Sequence, residues 1–352
     1  MSCVKPILRI DENYYNRELY RLPVELRGKP VNSGVLYSYD LKYKLLKYFK
    51  PEFLQQIRCG QCADCRLNYS RVWAERCMLE SQLWQHNYFV TLTYDDFHLP
   101  YGEFLDYDGE VKDTSLILKH CQDFMKRLRT NVEREFNHTG IRCFYCGEYG
   151  ELNGRPHYHF ILFNMPDLFP TFKFYKKVGS VIHYKSDVIE KAWSDKNKLP
   201  LGFHTICDVT YDTCAYTARY VMKKQKGQEV QKFKLYDNPE LNKRALVFCK
   251  MSNRPGIAKG YYDEHKEDIY RTDSIYYQRE WNTYRSRPPR YFDKLYDIDE
   301  PMVMQNVRYQ RINSAVEAQA RYELQASESE AERLARLNDK IIRDNERKVR
   351  VL

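Results

Sequence analysis

The sequence predicts an α+β fold: a central, mainly antiparallel β-sheet with helices packed against it, extended at the C-terminal end by a charged helix. Three observations carry this. Segments with strand chemistry alternate with segments of helical periodicity through the middle of the chain. Two of the strands are joined by a short turn, which makes them antiparallel. And 43% of the 352 residues are apolar, enough to fill a core. The alternation divides the chain into an N-terminal extension (1–54), the α+β domain (55–260), an irregular linker (261–313) and a charged C-terminal helix (314–352).

Residues 1 to about 50 carry scattered Tyr, Arg and Pro without sustained periodicity and read as a loop-rich lead-in. A helix through Val72, Cys77, Met78 and Leu79 then leads into a strand, Tyr88-Phe89-Val90-Thr91-Leu92-Thr93-Tyr94, stopped by Asp95-Asp96. From a cap at Thr114 or Ser115, Ile117, Cys121, Phe124, Met125, Leu128, Val132 and Phe136 recur at three- and four-residue spacing, with Lys126, Arg127, Arg129 and Arg134 on the other sides. Strands at 141–149 and 157–163 form a hairpin across a turn containing Asn153-Gly154 and Pro156. A short helix capped by Ser186 or Asp187 runs through Val188, Ile189 and Trp193; a strand near 203–209 follows, then a helix starting after Asp212. Beyond Pro288-Pro289, residues 314–348 read as a solvated helix with Glu332/Arg336, Asp339/Arg343 and Asp344/Lys348 pairs. Its stripe of Leu334, Leu337 and Ile341 is too short for a coiled coil.

Lys and Arg outnumber Asp and Glu by 57 to 48, for a net charge of +9, and Tyr (31) and Phe (17) are abundant. Cations release counterions at phosphates and rings stack on unpaired bases, so the mixture suits single-stranded nucleic acid better than duplex alone; an ordinary Tyr-rich core and surface has the same composition. No run of 18 apolar residues is present and MSCVKPILRI lacks a secretory stretch, which predicts a soluble intracellular protein with no membrane partner. Eleven cysteines in tight clusters fit thiols or metal ligands in a reducing cytosol rather than a disulfide framework.

Two constellations carry chemistry. In a strand, His157 and His159 project from one face and can clamp a divalent metal, with Glu148 on the preceding strand as the third ligand and Glu151, in the turn, as the fallback. The bland alternative is a pair of core or solvent-facing histidines. On the following helix Tyr216 and Tyr220 share a face that Lys223 and Lys224 extend, with Cys214, Ala218 and Val221 roughly opposite; such tyrosines are more often packing residues. Joined to a metal, they gain a role. A phenol of pKa about 10 needs a nearby cation and a polarised electrophile before it attacks phosphorus, and these motifs offer both. Separately, Cys59, Cys62 and Cys65 supply three thiolates for a structural zinc, with Cys77, Cys143 or Cys146 as candidate fourth ligands; strand alternation puts Cys143 and Cys146 on opposite faces. The neighbouring Arg58, Arg66 and Arg71 are candidate DNA contacts, as are Arg155 and Arg219 within the two motifs.

Phe89-Val90-Thr91-Leu92-Thr93-Tyr94, Gly154-Arg155-Pro156-His157-Tyr158-His159-Phe160 and Tyr216 through Lys224 resemble, in order, the three motifs of the HUH endonucleases, and within them the replication initiators of gokushovirus-type Microviridae. Cys59 through Arg66, Cys146-Gly147-Glu148-Tyr149-Gly150 and Arg254-Pro255-Gly256-Ile257 are similar to segments of the same group, so the resemblance spans roughly 55–260. It implies an initiator of rolling-circle replication, acting in the cytoplasm of the bacterial host on the viral origin as single strand and replicative-form duplex. It implies a magnesium or manganese cofactor, a 5′-phosphotyrosine link that leaves a 3′-hydroxyl, and a second tyrosine that closes the displaced circle. No Walker loop is visible, so unwinding would fall to a host helicase and extension to a host polymerase. A plasmid initiator or single-strand transposase shares the paired motifs but not the flanks. A non-catalytic, zinc-stabilised protein that binds single-stranded DNA would leave the pairing unexplained.

Overall fold

A computed structural model describes residues 7–29, 34–38, 41–50, 54–60, 62–106, 109–150, 153–219, 245, 247–325, 332, 335, 336, 339 and 343. The chain separates into two compact units, Met1–Asn68 with Ala320–Leu352, and Tyr69–Gln319.

The first unit holds more structure than its sequence suggested. Strand β1 (Ile7–Asp11), helix α1 (Glu12–Glu18), β2 (Gly34–Ser38), α2 (Lys42–Leu45) and β3 (Gln55–Ile57) build an antiparallel sheet in the order β2-β1-β3. β1 alternates, Leu8 and Ile10 inward, and these pack with Tyr15, Leu22, Leu26, Val35, Leu45 and Phe49. Asp11 starts α1 by accepting a hydrogen bond from the Asn13 amide at 3.0 Å. The expected loop-rich lead-in is therefore corrected to a small sheet with its own core. A five-residue strand offers only two inward positions, too few to show as a period.

In the second unit, α3 (Ala63–Ser81) precedes β4 (Tyr88–Thr93), the hairpin β5 (Tyr101–Asp106) and β6 (Gly109–Thr114), and α4 (Leu118–Phe136). The hairpin β7 (Arg142–Tyr149) and β8 (Pro156–Phe163) follows, then a second hairpin, β9 (Phe172–Val178) and β10 (Val181–Ser186), α5 (Asp187–Ala192), β11 (His204–Asp208), α6 (Tyr211–Arg219) and β12 (Phe248–Met251). Seven strands form one sheet in the order β12-β7-β8-β4-β11-β10-β9, every pairing antiparallel. The predicted α+β class with a central antiparallel sheet is what the chain adopts.

Alternation sorts the sheet into two cores. Val90, Leu92, Tyr158, Phe160 and Leu162 pack against Phe124, Leu128 and Val132 of α4 and Val188 and Ile189 of α5. Phe89, Phe144, Cys146, Ile161 and Phe163 pack on the opposite face with Trp73 and Cys77 of α3 and Cys214 and Ala218 of α6. Cys143 and Cys146 fall in different cores, as strand alternation required.

Three helix starts differ from expectation. α4 begins at Leu118 with Ile117 as N-cap; Thr114 and Ser115 do not cap it, because the Thr114 hydroxyl bonds the Gly154 carbonyl and Ser115 Oγ accepts from the Ala245 amide. α6 is opened by Thr210 and Thr213, whose hydroxyls each accept the other's amide at 3.2 and 2.9 Å, rather than by Asp212. Ser186 does occupy the N-cap of α5, but its hydroxyl pairs with Thr171.

The supposed irregular linker is also corrected. It contains most of α7 (Lys259–Thr272), the hairpin β13 (Ile275–Arg279) and β14 (Asn282–Ser286), α8 (Arg290–Asp299) and the start of α9 (Pro301–Gln325). Tyr262, Ile269, Tyr270, Phe292 and Tyr296 are buried there, and Tyr270 stacks on Tyr296 at 3.7 Å. Tyrosine supplies much of this core, which hides its periodicity from an aliphatic pattern. Glu332, Arg336, Asp339 and Arg343 are helical; Leu334, Leu337, Ile341, Asp344 and Lys348 lie outside the described residues.

Candidate active site

Pairing within the sheet assembles the first part of the site. Glu148 and His157 are Cα partners across β7 and β8, as are Cys146 and His159, and Thr91 of β4 lies opposite His159 on its other side. His157 and His159 share strand parity with Ile161, so they belong to the face that α6 covers.

Glu148 and His159 are buried, 6% and 5% exposed, and meet there: His159 Nε2 lies 2.8 Å from Glu148 Oε1. Nδ1 of the same ring lies 3.1 Å from the Thr91 hydroxyl. A neutral imidazole satisfies both contacts by donating Nε2–H to the carboxylate and accepting the hydroxyl hydrogen at Nδ1. Phe89 stacks parallel to His159 at 5.8 Å, and the Tyr216 ring stands edge-on to it at 4.9 Å. α6 buries Cys214, Thr217 and Ala218, leaving Tyr216 half-buried beside them. Its phenol donates to Glu148 Oε1 at 3.2 Å. One carboxylate oxygen thus ties the histidine motif to the tyrosine helix.

His157 faces differently. Its Nδ1 donates to the Arg155 carbonyl at 2.7 Å, which leaves Nε2 as the lone-pair nitrogen, and burial pushes its pKa below the usual histidine range. The ring lines an open cleft of about 340 Å³ with Thr93, Tyr94, Asp95, Asp96, Arg155 and Phe203. Phe203 is held there by two backbone hydrogen bonds with Thr93, at 2.9 and 3.0 Å. The preceding Gly202 makes this possible: a Cβ on it would collide with the backbone of Thr93, Tyr94 and Asp95.

Two imidazoles and a carboxylate on one sheet face are a donor set suited to a divalent ion such as manganese, and a neutral His157 has its lone pair ready. By donor chemistry the residues fit. Their ligand atoms are less tightly gathered than those of Cys59, Cys62 and Cys65, which among the described residues form the one group with all ligand atoms within 4.8 Å of one another.

The remaining candidates are dispersed. Tyr220, Lys223, Lys224, Val221 and the fallback Glu151 lie outside the described residues. Arg155 pairs with Asp96 at 2.6 Å and donates to the Tyr94 carbonyl at 3.0 Å, at the cleft; Arg219 is half-buried at the end of α6. Arg58 pairs with Asp64 at 3.2 Å, Arg71 with Glu75 at 3.5 Å, and Arg66 is half-buried in the first turns of α3. Cys77 is fully buried beside Cys214, Cys143 sits 3.9 Å from the Ser252 hydroxyl, and Cys146 is the cross-strand partner of Cys249. None of these three joins the cysteine group.

Sequence reasoning passed over Thr91, Phe203 and Asp96. Thr91 was readable, since it has the strand parity of Phe89; Phe203 and Asp96 are loop residues that only the fold carries to the cleft.

Residues 87–225 match the family model described as replication-associated protein ORF2/gene II protein, a span that includes Glu148, His157, His159 and Tyr216. The chain is 32% identical over 298 residues to the replication-associated protein ORF2 of Spiroplasma virus 4, covering 84% of this chain and 80% of that protein. It is 31% identical over 198 residues to the replication-associated protein VP4 of Bdellovibrio phage phiMH2K, covering 56% and 57%. With the replication-associated protein ORF4 of Chlamydia phage 1 it shares 29% identity over 176 residues, 49% and 39% of the two chains. No solved structure matches it.

Proposed function

This chain belongs to the Microviridae family of phage replication-associated proteins, and we propose that it is the metal-dependent endonuclease that starts rolling-circle replication of the phage's circular single-stranded genome. The observation that carries this reading is the bond from the Tyr216 phenol to Glu148, whose same oxygen holds His159.

In the proposed reaction the Tyr216 oxygen attacks an origin phosphodiester and its proton passes to Glu148, which is already in hydrogen-bond reach. The bond from phosphorus to the 3′-oxygen breaks. That oxygen takes up a proton and leaves as a 3′-hydroxyl, the primer for a host polymerase, while the 5′ phosphate stays on the tyrosine. A magnesium or manganese ion held by His157, His159 and Glu148 would polarise a non-bridging phosphate oxygen. Tyr220 is the second nucleophile, which cleaves the regenerated origin after one round so that the circle is resealed. Lys223 and Lys224 steady the negative charge. Unwinding of the replicative form falls to a host helicase, and the reaction takes place in the cytoplasm of the bacterial host.

DNA binding has a surface to support it. Hairpin β9–β10 presents Lys176, Lys177, Phe174 and Tyr175 to solvent, the two rings 69% and 48% exposed. Lys185 lies 4.8 Å over the Tyr175 ring and 6.0 Å over Phe203, which itself lines the cleft beside His157. Cations and open rings thus lead outward from the cleft, the combination that tracks a single strand. Among the described residues no helix is long and apolar enough to cross a membrane.

The test is incubation of the protein with single-stranded origin DNA and manganese or magnesium, scoring the covalent adduct by denaturing gel. Tyr216→Phe paired with Tyr220→Phe is expected to abolish it, and an adduct surviving in that double variant would overturn the reading. His157→Ala or His159→Ala is expected to remove metal-dependent cleavage.

A further inference from the structure

The cysteine group plays no part in the proposed nicking reaction. Cys59 follows β3, Gly60 turns the chain with φ +73°, and Cys62 is the residue from which α3 departs, since its carbonyl accepts the Arg66 amide at 3.0 Å. Cys65 is in the first helical turn and buried. The geometry between them is specific. The Cys62 amide donates to Cys59 Sγ at 3.3 Å, the interaction that lowers the charge density on a metal-bound thiolate, and Cys59 Sγ lies 3.9 Å from Cys65 Sγ. That separation is far beyond a disulfide bond of about 2.05 Å. It is close to the edge of a tetrahedron of sulfurs around zinc, which a Zn–S length of about 2.3 Å sets at about 3.8 Å.

Three thiolates crowded this closely repel one another unless a cation lies between them. The N-terminal end of a 19-residue helix, with its positive dipole end, adds to the stabilisation of charged sulfurs. We propose that Cys59, Cys62 and Cys65 bind one zinc ion, and that this ion pins the loop after β3 to the start of α3. The three supply three corners of the tetrahedron; the fourth comes from water or from a residue outside the described ones. A cubane iron–sulfur cluster is disfavoured, because it spreads its cysteine sulfurs over separate irons, further apart than around a single ion. Each thiol gives up its proton to solvent on binding, so the exchange is redox-neutral. The site stands independently of the nicking reaction.

The experiment is elemental analysis of the full-length protein purified without chelator, followed by replacement with cobalt. The expected result is about one zinc per chain, less than a tenth of that in Cys59→Ser, Cys62→Ser and Cys65→Ser, and full retention in Cys207→Ser, a buried cysteine outside the group. The cobalt form should show thiolate charge-transfer absorption and tetrahedral d–d bands. Cys65→His, which keeps a ligand, should hold the metal with a shifted cobalt spectrum and so separate loss of metal from loss of fold. Zinc-free protein that also takes up no added zinc or cobalt would overturn the proposal, as would stoichiometric iron with visible cluster absorption, or zinc that persists in all three serine variants.

Discussion

Two groups of ligand-bearing side chains are built in opposite ways. Glu148, His157, His159 and Tyr216 come from β7, β8 and α6, with Thr91 of β4 beneath them, and meet only because a seven-stranded sheet forms around them. Cys59, Cys62 and Cys65 come from one short segment and need little more than a turn and the first turn of a helix. The sheet-built group is rigid, with Glu148 and His159 almost fully buried, whereas Cys59 and Cys62 are half-buried. The difference teaches that a sheet supplies preorganisation for chemistry on a substrate, and that a local knuckle obtains its order from whatever it binds.

The sharpest way to break this contrast is to disturb the sheet-built hub without changing its shape. Glu148→Gln keeps the volume but cannot take up a phenol proton, and covalent adduct formation is expected to fall by about 10²–10⁴-fold while the thermal midpoint stays near that of the parent. A variant that unfolds while retaining its rate per folded molecule would show Glu148 to be structural. The converse substitution, Cys62→Ser, should leave adduct formation on a short origin oligonucleotide within about threefold while lowering the thermal midpoint by roughly 5–10 °C, as loss of a structural ion does. Chelation of the parent should reproduce that drop.

The sheet has a weak point of its own in acid. His204 of β11 is buried, accepts the Ser186 amide at Nε2 (2.9 Å), and has its pKa lowered from 6.5 to about 4 by burial and then by Lys185. The folded state therefore holds fewer protons than the unfolded chain below pH 6.5. The stability from keeping this ring neutral is fully present above that pH and is lost as pH falls toward 4, by roughly 3 kcal/mol in all. Urea titrations across that window, compared with His204→Gln, should show a reduced slope in the variant; an unchanged slope would assign the acid sensitivity elsewhere. The smallest effect belongs to the exposed hairpin. Lys176→Ala with Lys177→Ala should weaken binding to single-stranded DNA by about 3–10-fold and reduce the magnitude of the log–log salt slope by about 1.4. An unchanged slope would remove β9–β10 from the DNA path.

How much could be read beforehand follows the same division. The cysteine spacing, the two-residue alternation of His157 and His159, and the Asn-Gly and Pro turn between β7 and β8 are local, and they were legible. Glu148 was placed beside the histidines by hairpin pairing, and it is the Cα partner of His157; its hydrogen bond goes instead to the diagonal neighbour His159. Sequence periodicity does not specify such a diagonal. The caps of α4 failed for a similar reason: Thr114 and Ser115 have capping chemistry, but distant backbone groups at Gly154 and Ala245 engage them. β1 to β3 were missed because their strands are short, and α7 and α8 because tyrosine does the work of leucine in their core.

Gly202 carries one last consequence. Because its missing side chain is what lets β11's leading end lie against the end of β4, the mouth of the cleft between Thr93 and Phe203 is gauged by a hydrogen atom. Every other residue type would wedge the two backbones apart. The aperture through which a nucleic-acid strand reaches His157 is thus an all-or-none property of position 202, while the rings and cations around it remain open to gradual change.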